Sequence, residues 1–328
     1  MGNCMTCCDV PASRTDAVMH HTMLIQEDTN HTDLRHVPQV TSESGYDGKF
    51  AAPGDRAPET LRAQLTEVAE ENYRLRSQWP VPKTRRVSSS ECARPPAPVK
   101  GRSLVSFSSW STADALLIFG QDKHRVVCGL NFANGVNVGG GYKRGAVAQE
   151  EDLCRRIPSL FPSLLRAQRE GHYPFGPSTC RSPEQPARYS DVLYTENLTL
   201  ARANQEQDFS ILPPREQVKV SIISAAAPNL SFGKGEFADP SLLLEAVRSI
   251  FVAPRVMQKS VTTLVLGAWG CGAFGGDPVF VSELFAQVLK DEQMGKLYNE
   301  VHFAIPPGPN ADAFRKSLLS KGVELREL

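Results

Sequence analysis

One stretch of the chain combines a glycine run with two adjacent carboxylic acids. The run Gly139-Gly140-Gly141 is followed, after seven residues, by Gln149-Glu150-Glu151. Consecutive glycines let the backbone pass close to a ligand and expose N–H groups, and a carboxyl group near a reacting bond can act as general acid or base. Because neighbouring side chains on a helix diverge by about 100°, Glu150 and Glu151 cannot do the same job. The pattern predicts a ligand site, the alternatives being a flexible turn and a helix N-terminus that favours negative charge.

A second glycine-rich loop lies between an apolar run and a predicted helix. Gly270, Gly272 and Gly275 match the GxGxxG pattern, in which backbone N–H groups cradle a diphosphate. Phe274 is not required for the turn, so it is either a core residue or a surface for a sugar or base. A true dinucleotide-binding domain is disfavoured, because fewer than sixty residues follow the loop and the acid expected about 20 residues on is missing.

The first eight residues carry a candidate modification signal. Gly2 and Thr6 fit the N-myristoylation pattern, and Cys4, Cys7 and Cys8 offer thiols for palmitoylation. Stable anchoring takes two such signals, so the pattern predicts a lipoprotein attached to a membrane surface by myristate and palmitate. The alternatives are an unmodified tail and a metal held by two of these thiols, for which two histidines are the nearest further ligands.

These residues need a layered fold to position them. Short apolar runs predict buried strands at residues 115–119, 126–132, 218–226, 261–268 and 301–305. Helices are predicted at residues 149–169, 240–252, 278–290 and 312–319, the first one broken or kinked by Pro158 and Pro162. Strands that alternate with helices predict an α/β domain with a largely parallel sheet. In such sheets ligands bind beyond the carboxyl ends of the strands, where both glycine loops are expected.

Four parts are predicted along the chain. Residues 1–56 show no helical or strand period and are expected to form a disordered tail. Residues 57–79 are expected to form a helix, with Leu61, Leu65, Val68, Asn72 and Leu75 in a mostly apolar stripe. Residues 80–102 are read as a proline-rich linker with six basic residues against one acid, a net charge of +5. Residues 103–328 make up the α/β domain, in which 171–217 is long for a loop and is expected to be functional.

The composition excludes several classes of protein. Lys plus Arg and Asp plus Glu are both 36, so direct binding to nucleic acid is not expected. No apolar run approaches the roughly 18 residues of a spanning helix, and no signal-peptide pattern follows Met1. A cytoplasmic location is therefore expected, with the eight cysteines as thiols. The α/β domain has no zinc-ligand spacing and no P-loop, so neither a metal nor a cofactor is expected.

The glycine run and acid pair resemble the GGG-x(6–8)-QEE signature of poly(ADP-ribose) glycohydrolases. The run Leu-Gly-Ala-Trp-Gly-Cys-Gly-Ala-Phe-Gly-Gly-Asp-Pro (266–278) is similar to the diphosphate loop of the microbial-type branch, and Ser-Ala-Ala-Ala-Pro-Asn (224–229) resembles another family element. The resemblance covers about residues 58–328. It implies a macrodomain: three α/β/α layers with a mixed, largely parallel central sheet that binds ADP-ribose.

The resemblance also implies residue roles. Glu151 would be catalytic, Glu150 would orient ribose hydroxyls, and Asn134 and Phe274 would contact the distal ribose. The other implied substrate contacts are Gly139, Gly140, Gly141, Gln149, Gly270, Cys271, Gly272, Ala273 and Gly275. The implied reaction is hydrolysis of the ribose–ribose O-glycosidic bond, with Glu151 acting as acid and then as base.

Two other functions are open to the same residues. A binding module would read ADP-ribosylated protein without cutting, although a reader has no need of the acid pair. An oxidoreductase or transferase would instead hold NAD on the loop from Gly270 to Gly275. The partners that the resemblance implies are ADP-ribose, poly(ADP-ribose) or ADP-ribosylated proteins, together with the cytoplasmic face of a membrane if the N-terminus is acylated.

Overall fold

The elements around the two glycine loops are given by a computed structural model, which describes residues 59–182, 184–231, 236 and 238–328. Within these residues the strands are β1 (Thr84–Val87), β2 (Leu104–Ser108), β3 (Val127–Phe132), β4 (Val192–Leu200), β5 (Val218–Ala225), β6 (Thr263–Leu266), β7 (Glu300–Ala304) and β8 (Leu325–Glu327). The α-helices are α1 (Glu59–Arg74), α2 (Ser89–Cys92), α3 (Thr112–Gly120), α4 (Gln149–Arg156), α5 (Leu160–Arg169), α6 (Pro240–Met257), α7 (Pro278–Ala286) and α8 (Pro309–Ser320).

All the strands belong to one sheet, in the order β1-β4-β5-β3-β6-β7-β2-β8. The six strands from β5 to β8 in this order are parallel. Only β4 runs against its neighbours, β1 and β5, in the part of the chain that is described. The mixed, largely parallel sheet of the predicted fold class is confirmed. Because parallel strands end at the same edge, the segments that follow β3, β5 and β6 meet at the carboxyl edge of the sheet.

The side chains of β3 divide the core between the two faces of the sheet. Val127 packs with residues of α3, α4 and α5, whereas Cys128 and Leu130 pack with residues of α6, α7 and α8. This division follows from the alternation of side chains along a strand. Helices therefore cover both faces, as parallel sheets require, and the three-layer architecture is confirmed.

One predicted strand is wrong. Residues 115–119 lie inside α3, whose N-cap Ser111 accepts a hydrogen bond from the N–H of Asp114. A short apolar run does not distinguish a buried strand from a buried helix. The other four predicted strands are confirmed as β3, β5, β6 and β7, with ends that differ by up to two residues.

Two segments that were predicted as a linker and a loop contain strands. Residues 80–102 include β1 and α2, and residues 171–217 include β4. Strand β1 has two exposed arginines between buried ends, so it has no apolar run. Strand β4 shifts register between Thr195 and Leu198, where Asn197 has a φ of 59°, and this irregularity breaks the alternation.

The predicted helices are present with altered bounds. The helix predicted at 149–169 is two helices, α4 and α5, separated around Pro158. The predicted N-terminal helix is α1, which buries Leu65, Val68 and Asn72. The tail, with Gly2, Cys4, Cys7 and Cys8, lies outside the described residues. Among the helices that are described, none is long and apolar enough to cross a membrane.

Candidate active site

The glycine run and the acid pair are held together beyond the carboxyl end of β3. Gly139 and Gly140 have φ values of 64° and 54°, which glycine adopts without steric cost. They turn the chain so that the N–H of Gly141 donates to Oε1 of Glu151 at 2.7 Å. A Cβ on Gly140 would lie 2.5 Å from the same oxygen. This glycine therefore leaves the space that the carboxylate of Glu151 occupies.

Glu150 faces a different set of donors. Its Oε2 accepts from the N–H of Asn134 at 2.9 Å, and its Oε1 accepts from Nδ2 of Asn131 at 3.2 Å. Glu150 is 3% exposed and Glu151 is 7% exposed. Burial raises the pKa of Glu150 to about 8, although the hydrogen bonds from Asn134 and Asn131 lower this pKa. The two carboxyl groups thus differ in environment, and burial favours the protonated form of Glu150.

Gln149 fixes the start of α4 against the sheet. Its Oε1 accepts from the N–H of Phe132 at 2.9 Å. Its Nε2 donates to the carbonyl of Leu130 at 2.6 Å and to Oγ1 of Thr112 at 3.1 Å. These bonds join α4 to β3 and α3. In this structure the side chain of Gln149 sets the position of the acid pair at the sheet edge.

The second glycine loop, residues 270–276, joins β6 to α7. The N–H of Gly276 donates to the carbonyl of Gly270 at 2.9 Å and closes the loop. Three consecutive N–H groups in the loop donate to no atom of the described residues, namely those of Gly272, Ala273 and Phe274. Successive unpaired N–H groups form a concave site for an anion such as a diphosphate.

The side chains of this loop point in different directions. Cys271 is 1% exposed, and its thiol donates to the carbonyl of Trp269, so only its backbone is available to a ligand. Phe274 is half-buried and packs on the core under α6, α7 and α8. Part of its side chain is therefore a core residue, and the exposed part is left as a surface for a sugar or base. A Cβ on Gly272 would meet no atom within 4 Å. The loop therefore presents mainly backbone at its outer surface.

Residues 224–229, which begin at the end of β5, contact the second glycine loop. The indole N–H of Trp269 donates to the carbonyl of Ala225 at 2.9 Å. A Cβ on Gly270 would lie 2.7 Å from that of Ala227. This close packing brings the predicted diphosphate loop against the end of β5, the strand that pairs with β3.

Asn134 uses part of its side chain inside its own loop. Its Oδ1 accepts from the N–H groups of Val136 and Asn137, at 3.0 and 2.8 Å. Its backbone N–H is already bonded to Glu150. The implied ribose contact would therefore have to come from Nδ2, which donates to no atom of the residues described.

Two residues that organise the site, Asn131 and Asn72, were not predicted to do so. Asn131 is fully buried and joins Glu150 to Oγ of Ser224, the latter at 3.0 Å. Asn72 donates through Nδ2 to the hydroxyl of Tyr142 at 3.1 Å. One signal was present in the sequence, because Asn72 is the polar member of the stripe on α1.

The raised pKa of Glu150 predicts a stability that depends on pH. The folded state keeps a proton that the unfolded state loses above pH 4.5, so the free energy of unfolding should fall as pH rises from about 5 to 8. Glu150→Gln should flatten this fall, because an amide does not titrate between about pH 5 and pH 8. Urea denaturation at pH 6 and pH 8 measures both slopes, and parallel slopes for wild type and variant would contradict the prediction.

Comparison with known proteins points to one family. Residues 47–203 match the family model of the catalytic domain of microbial-type poly(ADP-ribose) glycohydrolase (PARG). Poly(ADP-ribose) glycohydrolase from Thermomonospora curvata is 23% identical, over 79% of this chain and 100% of that chain, with a TM-score of 0.62. The enzyme from Deinococcus radiodurans, solved in complex with ADP-ribose, is 30% identical over 72% of this chain and 94% of that chain, with a TM-score of 0.58. A search of curated proteins finds no match. This chain therefore belongs to the family of microbial-type poly(ADP-ribose) glycohydrolases.

Proposed function

We propose that the chain is a glycosidase that hydrolyses the ribose–ribose O-glycosidic bonds of poly(ADP-ribose) and releases ADP-ribose. Its membership of the family supports this activity. The observation that carries the proposal is the acid pair, Glu150 and Glu151, buried beside a glycine turn at the carboxyl edge of the sheet. Burial of two carboxyl groups is costly, and a module that only reads ADP-ribose has no need of them.

Glu151 acts first as general acid and then as general base. Its carboxyl group protonates the oxygen of the leaving ribose while the bond from that oxygen to the anomeric carbon breaks, through an oxocarbenium-like transition state. Its carboxylate then takes a proton from the water whose oxygen bonds to the anomeric carbon. The proton given in the first step is recovered in the second, so Glu151 is regenerated.

Glu150 positions the ribose. Its oxygens are held by Asn131 and Asn134, which supports an orientation that is set before the substrate binds. Because its pKa is raised by burial, it does not add a full negative charge beside Glu151. This leaves Glu150 able to hydrogen bond to the ribose hydroxyls.

The loop of residues 270–276 holds the diphosphate. Its unpaired N–H groups, those of Gly272, Ala273 and Phe274, suit the phosphate oxygens. The distal ribose contacts Nδ2 of Asn134 and the exposed part of Phe274. All of these contacts are made to the ADP-ribose unit itself, so the site can also bind ADP-ribose that is attached to a protein.

A direct assay tests the proposed activity. The chain is incubated separately with labelled poly(ADP-ribose) and with mono-ADP-ribosylated protein, and free ADP-ribose is measured. Release from the polymer is expected. Release from the modified protein alone would restrict the activity to adducts, and binding of both without release would contradict the enzyme and support a reader.

We also propose that the N-terminus anchors the chain to the cytoplasmic face of a membrane. Gly2 fits the myristoylation pattern, and the nearby thiols supply the second acyl chain that stable attachment needs. Part of the positive charge of residues 80–102 is already paired, because Arg86 bonds to Asp191 and Arg102 to Glu324. Attraction to anionic lipid from this segment is therefore weaker than its net charge of +5 indicates.

Gly2→Ala should move the protein from the membrane to the soluble fraction. The change adds a methyl group to the Cα of the acceptor glycine, so the residue no longer fits the myristoylation pattern. One remaining kind of acyl chain binds only marginally, so the bound fraction should fall by about tenfold or more. Cell fractionation measures it, with Asn3→Ala as the control that leaves the acceptor glycine intact. Equal partition of Gly2→Ala and wild type would contradict the anchor.

A further inference from the structure

The buried amide of Asn72 joins α1 to both ends of the segment that carries the acid pair. Asn72 is 3% exposed. Its Nδ2 donates to the hydroxyl of Tyr142 at 3.1 Å and to the carbonyl of Arg155 at 2.9 Å. Tyr142 directly follows the glycine run, and Arg155 lies in the last turn of α4. One side chain therefore bridges the glycine run and the helix that begins with the two acids.

The orientation of this amide is fixed from its other side. Oδ1 of Asn72 accepts from Nε of Arg202 at 2.7 Å. Because arginine is only a donor, this bond determines which atom of the amide is the oxygen. The guanidinium of Arg202 is itself held by the carbonyl of Phe209 at 2.8 Å and by Oε2 of Glu71 at 2.7 Å. Rotation of the amide would break bonds on both sides.

The spacer between the glycine run and the acids packs directly on α1. Gly145 has a φ of 68°, and a Cβ there would lie 2.4 Å from the carbonyl oxygen of Arg62 in α1. From the other side, Nη2 of Arg155 donates to the carbonyl of Ala146 at 2.6 Å. The spacer is thus clamped between α1 and α4, with Asn72 at the centre of the clamp.

We infer that Asn72 is a positioning residue for Glu151, an inference that rests on the proposed function. The N–H of Gly141, which holds Oε1 of Glu151, is adjacent in sequence to Tyr142. A shift of Tyr142 therefore moves the donor that orients the carboxyl group. A misplacement of about 1 Å at a reacting group can lower a rate by about 10²-fold. The diphosphate loop makes no hydrogen bond to this clamp in the described residues, so the diphosphate contacts of ADP-ribose do not depend on it.

Two variants remove the hydrogen bond from Asn72 to Tyr142, one at the acceptor and one at the donor. Tyr142→Phe removes only the hydroxyl, and Asn72→Asp removes the donor while keeping the acceptor for Arg202. We expect kcat on poly(ADP-ribose) to fall about 10-fold for Tyr142→Phe and about 10- to 100-fold for Asn72→Asp. The dissociation constant for ADP-ribose should stay within about twofold. The double variant should match Asn72→Asp alone, because contacts in one network do not add.

Tyr298→Phe is the matched control. Its hydroxyl donates to the carbonyl of Phe251 at 2.6 Å in the opposite helix layer, so the variant loses one buried bond without touching the clamp. The inference would be overturned if Tyr298→Phe lost as much kcat as the clamp variants. It would also be overturned if Asn72→Asp lost ADP-ribose affinity in parallel with kcat, because either result would show that the clamp only stabilises the fold. Wild-type kcat in both clamp variants would also overturn it. An inactive wild type would instead refute the proposed function, and the inference with it.

Discussion

Glu151→Gln should lower the turnover of poly(ADP-ribose) by about 10²–10⁴-fold, the usual contribution of general acid–base catalysis. Glutamine keeps the size of the side chain, and its oxygen can still accept from the N–H of Gly141, a bond of 2.7 Å in the wild type. It can neither protonate the leaving ribose nor take a proton from water. Affinity for ADP-ribose should change little, because the N–H groups of residues 270–276 are untouched. Steady-state release of ADP-ribose and calorimetry measure the two quantities.

Two neighbouring variants test whether this effect belongs to Glu151. Glu150→Gln should lower both affinity and turnover, because it replaces one carboxyl oxygen, which can accept from a ribose hydroxyl, by an amide NH2 group, which cannot. Asp152→Asn removes a carboxyl group from the same first turn of α4 without a contact to the glycine run, so its turnover should stay near wild type. An active Glu151→Gln beside an inactive Glu150→Gln would invert the proposed roles. Full activity of both would reduce the pair to a helix N-terminus and show that other residues catalyse the hydrolysis.

The central strands were predictable because burial on both faces makes them uniformly apolar. Strands β3 and β6 lie inside the sheet and are almost wholly buried, so each appears in the sequence as a short apolar run. The edge of the sheet lacks this signal. Among the described residues strand β1 pairs on one side only, and it exposes Arg85 and Arg86. Its position depends on pairing with β4, more than 100 residues away along the chain.

The parts of the site that are local in sequence were predictable, and those that depend on distant contacts were not. The glycine run and Glu151 are close in the chain, so their spacing alone indicates that they meet. Asn72 reaches Tyr142 across 70 residues and Arg202 across 130. No local pattern encodes such contacts. The sequence offers only one anomaly, an asparagine where an apolar stripe on α1 would place a hydrophobic residue.

The second large effect is expected at the diphosphate loop. Gly272→Val places a branched side chain at the outer surface of the loop, where a Cβ would meet no atom of the described residues within 4 Å. The fold should therefore survive, while the new side chain blocks the approach of phosphate to the unpaired N–H groups. A hydrogen bond to a charged group contributes about 1.5–3 kcal/mol, so loss of two such bonds should weaken ADP-ribose binding by about 10²–10⁴-fold.

Gly322→Val separates this loss of binding from a loss of stability. Gly322 also has no atom within 4 Å of an added Cβ, but its φ of 67° makes a valine strained there. This control should lower the free energy of unfolding by about 1–3 kcal/mol and leave ADP-ribose affinity unchanged, since it follows α8 on the amino side of the sheet. Gly272→Val should show the reverse: an unchanged melting temperature and no measurable affinity in calorimetry. Normal affinity in a folded Gly272→Val protein would show that the diphosphate binds elsewhere. If the wild type bound NAD as tightly as ADP-ribose, the result would instead favour a dinucleotide-binding role for this loop.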